Sequence, residues 1–80
     1  MVRLEVARQG DEKQWKSLLD DEYIPVRQAI ALQGYALARF LYDPSEEVRI
    51  AVACHGYGVE HLKKDPSPRV RLAAMNYDKK

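Results

Sequence analysis

Four arginines recur in the same local setting along this chain of 80 residues. Each follows a valine, and the offsets between them are 24, 22 and 22 residues: Arg3, Arg27, Arg49 and Arg71. Packed helices lie about 8–10 Å apart, so helices stacked in register would align the four guanidinium groups in one column. Each guanidinium offers a planar fork of donors that suits phosphate. The spacing therefore predicts, as one option, a strip that binds phosphate or nucleic acid.

Metal binding and catalysis have few candidate residues. Cys54, His55 and His61 are the soft ligands, and the first two are adjacent, so they point to different faces of a helix. One chain cannot build a tetrahedral site from them. The sequence contains no phosphate-binding glycine loop, dinucleotide fingerprint or zinc-protease motif. We therefore predict a protein that is not an enzyme, with no catalytic residue, no metal and no cofactor.

A second row of polar and aromatic side chains follows the same spacing. Its members are Gln9, Gln33, His55 and Tyr77, with Tyr35 and Tyr57 just beyond. Tyrosine is favoured at protein interfaces, so this row could contact a peptide or a partner helix. The alternative is that the tyrosines pack over neighbouring helices and keep their hydroxyls in water. The candidate partner-binding residues of the row are Gln33, Tyr35, His55 and Tyr57.

All these residues belong to an internal repeat. The sequence VRLEVARQG from Val2 recurs as VRQAIALQGY from Val26, VRIAVACHGY from Val48 and VRLAAMNY from Val70. The repeat cores are placed near residues 2–10, 26–35, 48–57 and 70–77, within one domain that spans residues 1–80. A unit of 22–24 residues cannot bury its apolar faces alone, whereas stacked units bury them against each other. The repeat therefore predicts an all-α solenoid of about four short units.

The third copy carries the clearest signals for where its helix begins and ends. Asp43 is a good N-cap, with Pro44 at the first helical position and Glu46 in the capping-box place. Gly56 is expected to end the helix in a left-handed conformation. A shorter connecting helix follows, and because Gly58 weakens it, it could be α-helix or a turn of 3₁₀ helix.

Two features concern how the units stack. Alanines in register would let neighbouring helices approach closely, and they are Ala29, Ala51 and Ala73. We expect the last repeat to lack a covering unit, so Leu72 and Met75 are predicted to stay partly exposed. Such an end face can bind a partner, or it can pair with a second copy about a two-fold axis as a homodimer.

Composition sets the broad class. A net charge of +1 gives no global basic field to attract nucleic acid. The single cysteine excludes an intrachain disulfide and suits a reducing compartment. No apolar run has the length of a signal peptide core or a membrane span. We therefore expect a cytoplasmic protein with no membrane partner.

The segment Asp43–Ala53, which reads Asp-Pro-x-x-x-Val-Arg-x-Ala-Val-Ala, resembles the core of short HEAT-like repeats and of the leucine-rich repeat variant family. The resemblance covers nearly the whole chain and implies a right-handed α-solenoid with helices in two layers. It also implies a structural ladder of hydrogen bonds between aspartates and arginines of neighbouring repeats. The ladder residues are Asp21, Asp43 and Asp65, each standing six positions before Arg27, Arg49 and Arg71. Arg3 has no such aspartate and is expected to be free to bind a partner.

These families contain scaffolds, adaptors, nucleic-acid binders and a few enzyme subunits. The resemblance therefore implies a fold more firmly than a function. We predict a non-catalytic protein–protein interaction or scaffold module. The alternatives are a nucleic-acid or phosphate-binding module that uses the arginine column, and an accessory subunit of a larger enzyme.

Overall fold

Each Val-Arg motif lies on a longer helix, and three short helices connect these. The computed structural model describes the backbone of residues 2–78 and the side chains of residues 3–77. In chain order the helices are α1 (Val2–Gln9), α2 (Glu12–Lys16), α3 (Ile24–Leu32), α4 (Leu37–Phe40), α5 (Glu46–Cys54), α6 (Val59–Leu62) and α7 (Pro68–Asp78). No strand occurs in residues 2–78, which confirms the all-α prediction.

The longer helices begin later than their aspartates suggest. The prediction that Asp43 caps α5 is wrong, because α5 starts at Glu46 and its N-cap is Ser45. The Asp43 carboxylate instead accepts the backbone N–H of Ser45 at 2.9 Å and binds Arg27 of the preceding repeat. A carboxylate held by those two partners is not available to cap the first turn of its own helix.

The end of α5 follows the sequence signal. His55 is the C-cap, and Gly56 comes next with a φ of 77°, the left-handed region that favours glycine. A Cβ atom added to Gly56 would lie 2.2 Å from Cζ of Tyr77 in the next repeat. This glycine therefore serves both the turn and the close approach of the neighbouring helix.

The connecting helices α4 and α6 are single turns of α-helix. The N–H of Phe40 donates to the carbonyl of Ala36 at 3.1 Å, and that of Leu62 donates to Gly58 at 2.9 Å. These bonds span four residues, which is the α-helical pattern. The open choice between α and 3₁₀ helix is thereby decided for both segments. Each segment is preceded by a left-handed residue, Ala36 with a φ of 57° and Gly58 with a φ of 62°.

Ala36 holds a conformation that costs an alanine about 1–2 kcal/mol, so Ala36→Gly should relieve that strain. The added backbone freedom of glycine in the unfolded chain offsets about 0.5–1 kcal/mol of the gain. We expect the variant to be more stable by about 0.5 kcal/mol, measured by urea denaturation. Gly58→Ala is the matched reverse change and should destabilise, because its new Cβ would lie 2.7 Å from Cδ1 of Leu41. A loss of stability in Ala36→Gly would contradict the strain argument.

The core forms where each longer helix packs on the next one along the chain, α1 on α3, α3 on α5 and α5 on α7. The largest fully buried side chains are Phe40, Ile30, Leu62, Val26, Val48, Val52 and Val70. Of the predicted alanine column, Ala29 and Ala51 are buried and Ala73 is half-buried. A second, fully buried column consists of Ala7, Ala31 and Ala53. These small side chains let the backbones of consecutive helices come close.

Candidate interaction surface

Arg27 and Arg49 make the same set of bonds in successive repeats. Arg27 donates from Nε and Nη2 to the two carboxylate oxygens of Asp43, at 2.9 and 3.1 Å, and from Nη1 to the backbone carbonyl of Asp21 at 2.6 Å. Arg49 donates in the same way to Asp65, at 2.8 and 3.1 Å, and to the carbonyl of Asp43 at 2.6 Å. Each arginine therefore links the start of its own helix to the start of the next repeat. Bidentate pairs of this kind are among the strongest polar contacts in proteins.

The aspartates of these pairs are well shielded from water. Asp43 and Asp65 are both buried, and besides the arginine each accepts a backbone N–H, from Ser45 and Ser67 respectively, at 2.9 Å. A buried carboxylate is costly unless it is paired and hydrogen-bonded. Here both conditions are met, so the repeated aspartates and arginines hold neighbouring repeats together.

The first arginine of the column is not free, and that expectation is wrong. Nη1 of Arg3 donates to Oδ2 of Asp21 at 3.0 Å. The Arg3 side chain is 57% exposed while that of Asp21 is 6% exposed, so this pair lies at the edge of the stack. The contact uses one nitrogen where the pairs of Arg27 and Arg49 use two. Arg3 therefore contributes to the same column with weaker geometry.

The last arginine of the column has a different set of partners. Nη1 of Arg71 donates to the carbonyls of Asp65 at 2.7 Å and Pro66 at 3.1 Å. Among the side chains of residues 3–77, no carboxylate lies within ion-pair distance of Arg71. Within residues 3–77, Arg71 thus keeps its backbone anchor but lacks the acidic partner found on Arg27 and Arg49.

The charge of Asp65 links the column to pH. Burial raises the pKa of Asp65, but hydrogen bonds from Arg49 and the Ser67 N–H, with the positive charge of Arg49, outweigh burial and hold the pKa below its usual value. In the unfolded chain the pKa returns to about 3.9. Protons therefore bind the unfolded chain more readily than the folded one. The stabilising contribution of this carboxylate is complete above the unfolded pKa and is lost as the pH falls through the folded pKa.

We expect the free energy of unfolding to fall below about pH 4, and to fall less steeply in Asp65→Asn. Urea denaturation between pH 3 and 7 measures both slopes. Asp20→Asn is the control, because the Asp20 side chain is 87% exposed and its removal should leave the slope close to that of the wild type. Parallel curves for wild type and Asp65→Asn would contradict this assignment.

The second predicted row contacts carbonyls at the ends of preceding helices. Nε2 of Gln33 donates to the carbonyl of Arg8 at 2.9 Å, and Nε2–H of His55 donates to the carbonyl of Leu32 at 2.7 Å. Carbonyls in the last turn of a helix lack a partner within that helix. Gln33 and His55 each supply one such partner. These two candidate partner-binding residues therefore also link the C-terminal ends of consecutive longer helices.

The tyrosines of this row differ in exposure. Tyr35 is half-buried, with its ring centroid 5.5 Å from that of Trp15. Tyr57 is exposed, and so is Tyr42, whose ring meets His61 edge to face at 5.2 Å. Tyr35 therefore packs within the molecule, whereas Tyr57 remains accessible on its surface.

The last repeat differs from the others in the exposure of two apolar positions on α7. Met75 aligns with the fully buried Ala31 and Ala53, yet Met75 is 44% exposed. Leu72 aligns with the half-buried Ile50 and is 55% exposed. Positions that are buried or half-buried in earlier repeats are thus exposed in α7. We call Arg71, Leu72 and Met75 the α7 end face.

A surface cleft of about 370 Å³ lies beside the arginine column. Its charged lining residues are Asp20, Arg27, Arg39 and Asp43. Arg27 is bound to Asp43, and Arg39 is paired with Asp20. Both cations of the cleft are therefore already neutralised by carboxylates of the chain itself.

No known protein family, curated protein or solved structure matches this chain. The resemblance to HEAT-like repeats thus stays a hypothesis that rests on the sequence motif. Within the part of the chain that the structure describes, no group of three or more histidine, cysteine or acidic side chains is placed to hold a metal ion. In the same part, no helix is both long and apolar enough to cross a membrane.

Proposed function

We propose that this chain is a non-catalytic protein-interaction module, built as a short right-handed solenoid of HEAT-like repeats, that binds a protein partner through the α7 end face. The observation that carries the proposal is the exposure of Leu72 and Met75 at positions whose counterparts in earlier repeats are more deeply buried. Apolar side chains clustered on one face of a small domain favour association with another protein. The packing of each longer helix on the next supports the solenoid part of the proposal.

The phosphate-binding alternative has weaker support. Arg27 and Arg49 already hold a carboxylate with two bonds each. A phosphate could reach these forks only by displacing a buried aspartate, which would then lose its charge partner. The arginine column thus favours a structural role, and the apolar end face is the better candidate for binding.

Affinity capture from a lysate of the source cells, run with and without nuclease, tests the proposal. Three baits are compared: the wild type, the double variant Leu72→Glu/Met75→Glu, and the control Ala38→Glu/Tyr42→Glu. The control adds the same charge at two exposed positions near α4. Circular dichroism first establishes that all three baits keep their helix content.

We expect the wild type and the control to retain a defined protein in both nuclease lanes, and the α7 double variant to lose it. Its identity would then distinguish a scaffold from an accessory subunit of an enzyme. Recovery that disappears on nuclease treatment, and whose affinity falls steeply with salt, would overturn the proposal in favour of nucleic-acid binding. Equal recovery on all three baits would place the interface away from α7.

A further inference from the structure

The α7 end face contains an incomplete copy of the bonding pattern that joins the repeats. Arg27, Arg49 and Arg71 are anchored alike, since each donates from Nη1 to the carbonyl of the aspartate six residues before it, at 2.6, 2.6 and 2.7 Å. In Arg27 and Arg49 this anchor leaves Nε and Nη2 directed at the carboxylate of the next repeat. The same anchor prepares Arg71 to receive a carboxylate that residues 3–77 do not supply.

The molecule itself shows what covers this kind of face. Arg27 on α3 is covered from the side of α5, and Arg49 on α5 from the side of α7. In both cases the covering segment begins with an aspartate whose carboxylate also accepts the N–H of a serine two residues later. A helix follows at once, and the buried side chains of α5 are all valines and alanines. The same covering segment thus supplies both the carboxylate and the small apolar side chains.

We propose that the α7 end face binds a helix of a protein partner that is led by an aspartate, and that the carboxylate of this aspartate bridges Nε and Nη2 of Arg71. This inference rests on the proposed function and specifies the partner's chemistry. Leu72 and Met75 contact the small apolar side of the incoming helix, while Arg71 fixes its register. Because a guanidinium fork matches a carboxylate in two bonds, the contact selects for an acidic residue at that one position.

A second copy of this chain is a poorer occupant. Two copies paired about a two-fold axis through α7 would bring two Arg71 guanidinium groups into one interface, with like charges close together. The charge of the end face therefore favours a partner that supplies a carboxylate over one that supplies another arginine.

The test uses the full chain, labelled with ¹⁵N, and a synthetic peptide with the sequence of residues 65–77. This peptide carries an aspartate and the helix that it leads, as found against α5. A matched peptide with asparagine at position 65 is the control. Nuclear magnetic resonance titration up to 1 mM peptide follows the backbone amides and the arginine Nε–H signals. The identity of the signals that shift locates the binding site, and the dependence of the shift on peptide concentration gives the affinity.

We expect shifts at Arg71 Nε–H and along α7, and at least about tenfold weaker binding of the asparagine peptide, as for the loss of one charge-assisted pair. Arg71→Gln should weaken binding of the aspartate peptide to a similar degree and leave binding of the asparagine peptide nearly unchanged. Equal affinities for the two peptides would overturn the inference, and so would absence of binding at 1 mM. Shifts at Arg49 instead of Arg71 would show that the peptide displaces α7 from α5, which also overturns it.

Two further outcomes separate this inference from the proposed function. Equal capture of a partner by the wild-type and Arg71→Gln baits would refute the role of Arg71. It would leave the proposal of an interaction module standing. Sedimentation velocity could instead show that the unliganded chain is a dimer that Met75→Glu dissociates. That result would assign the α7 end face to a second copy and overturn the proposal of a different protein as partner.

Discussion

Replacing Arg49 with alanine is expected to lower the free energy of unfolding by about 3 kcal/mol, as for removal of one partner from a buried ion pair. The guanidinium is the charge partner of both oxygens of the buried Asp65, and it also holds the carbonyl of Asp43. Without it, Asp65 would keep the backbone N–H of Ser67 as its remaining hydrogen bond. Urea denaturation followed by circular dichroism at low temperature measures the loss, because a domain of this size has only a few kcal/mol in total.

Arg69→Ala is the control for Arg49→Ala. Arg69 lies on α7 and pairs with Glu47 on α5 at 3.3 Å, but its side chain is 63% exposed. Exposed pairs contribute about 0–1 kcal/mol, so the control should unfold close to the wild type. Arg49→Lys should fall between the two, since a single ammonium cannot hold both oxygens in the same plane. Equal losses for Arg49→Ala and Arg69→Ala would refute the structural role of the buried column.

Phe40→Ala is expected to be the most destabilising core substitution, with a loss of about 3–5 kcal/mol in the free energy of unfolding. Phe40 is 1% exposed and is the largest side chain that is fully buried. It lies on the single turn of α4, which packs on α5. A four-residue helix has almost no stability of its own, so its place in the fold depends on this buried ring. Loss of the ring should therefore free α4 as well as leave a cavity.

Tyr42→Ala is the control for Phe40→Ala, because Tyr42 is an aromatic residue two positions later and is mostly exposed. Its removal should change stability by no more than about 0.5 kcal/mol. Hydrogen exchange adds a second measurement: in Phe40→Ala the amide of Leu41, bonded to the carbonyl of Leu37, should lose protection. Retention of that protection together with a small loss of stability would contradict the anchoring role of Phe40.

The helices were predictable from the sequence because the same pattern of apolar residues occurs in each repeat. The valines at 26, 48 and 70 are all fully buried, and each lies two residues after its helix begins. Helical spacing of apolar residues depends on local geometry alone, so a single sequence reveals it. The turn at Gly56 was predictable for the same reason. The helix start was misplaced because a tertiary partner, Arg27, engages the carboxylate that was expected to cap the helix.

The partners within the arginine column were only partly accessible. The spacing of six residues identifies the right aspartates, but Arg27 and Arg49 each bind the backbone carbonyl of that residue and the carboxylate of the aspartate that comes later. For Arg27 and Arg49 the carboxylate lies sixteen positions ahead. An offset along the chain does not tell which of two aspartates lies across the helix interface. For the same reason Arg3 was expected to be free, although Asp21 lies eighteen positions ahead of it.

The second edge of the stack was recognised as a row but not as a set of helix caps. Gln33 and His55 were singled out because polar side chains recur at one helical position. Their acceptors, the carbonyls of Arg8 and Leu32, are backbone groups and leave no trace in residue identity. One sequence signal could have indicated these bonds. Every helix end leaves backbone carbonyls without a partner, and Gln33 and His55 each stand at the end of a helix that packs beside the end of an earlier one.

The ion pairs of the column join residues sixteen or eighteen positions apart, and the longer helices pack on their immediate successors. The contacts that hold the fold thus join neighbouring segments of the chain, and closing loops of this length costs little entropy. Contacts between neighbouring segments of a chain favour fast folding. During synthesis, each repeat can dock on its predecessor as soon as it leaves the ribosome. The nascent chain therefore exposes the apolar surface of little more than one repeat at a time, which limits its opportunity to aggregate.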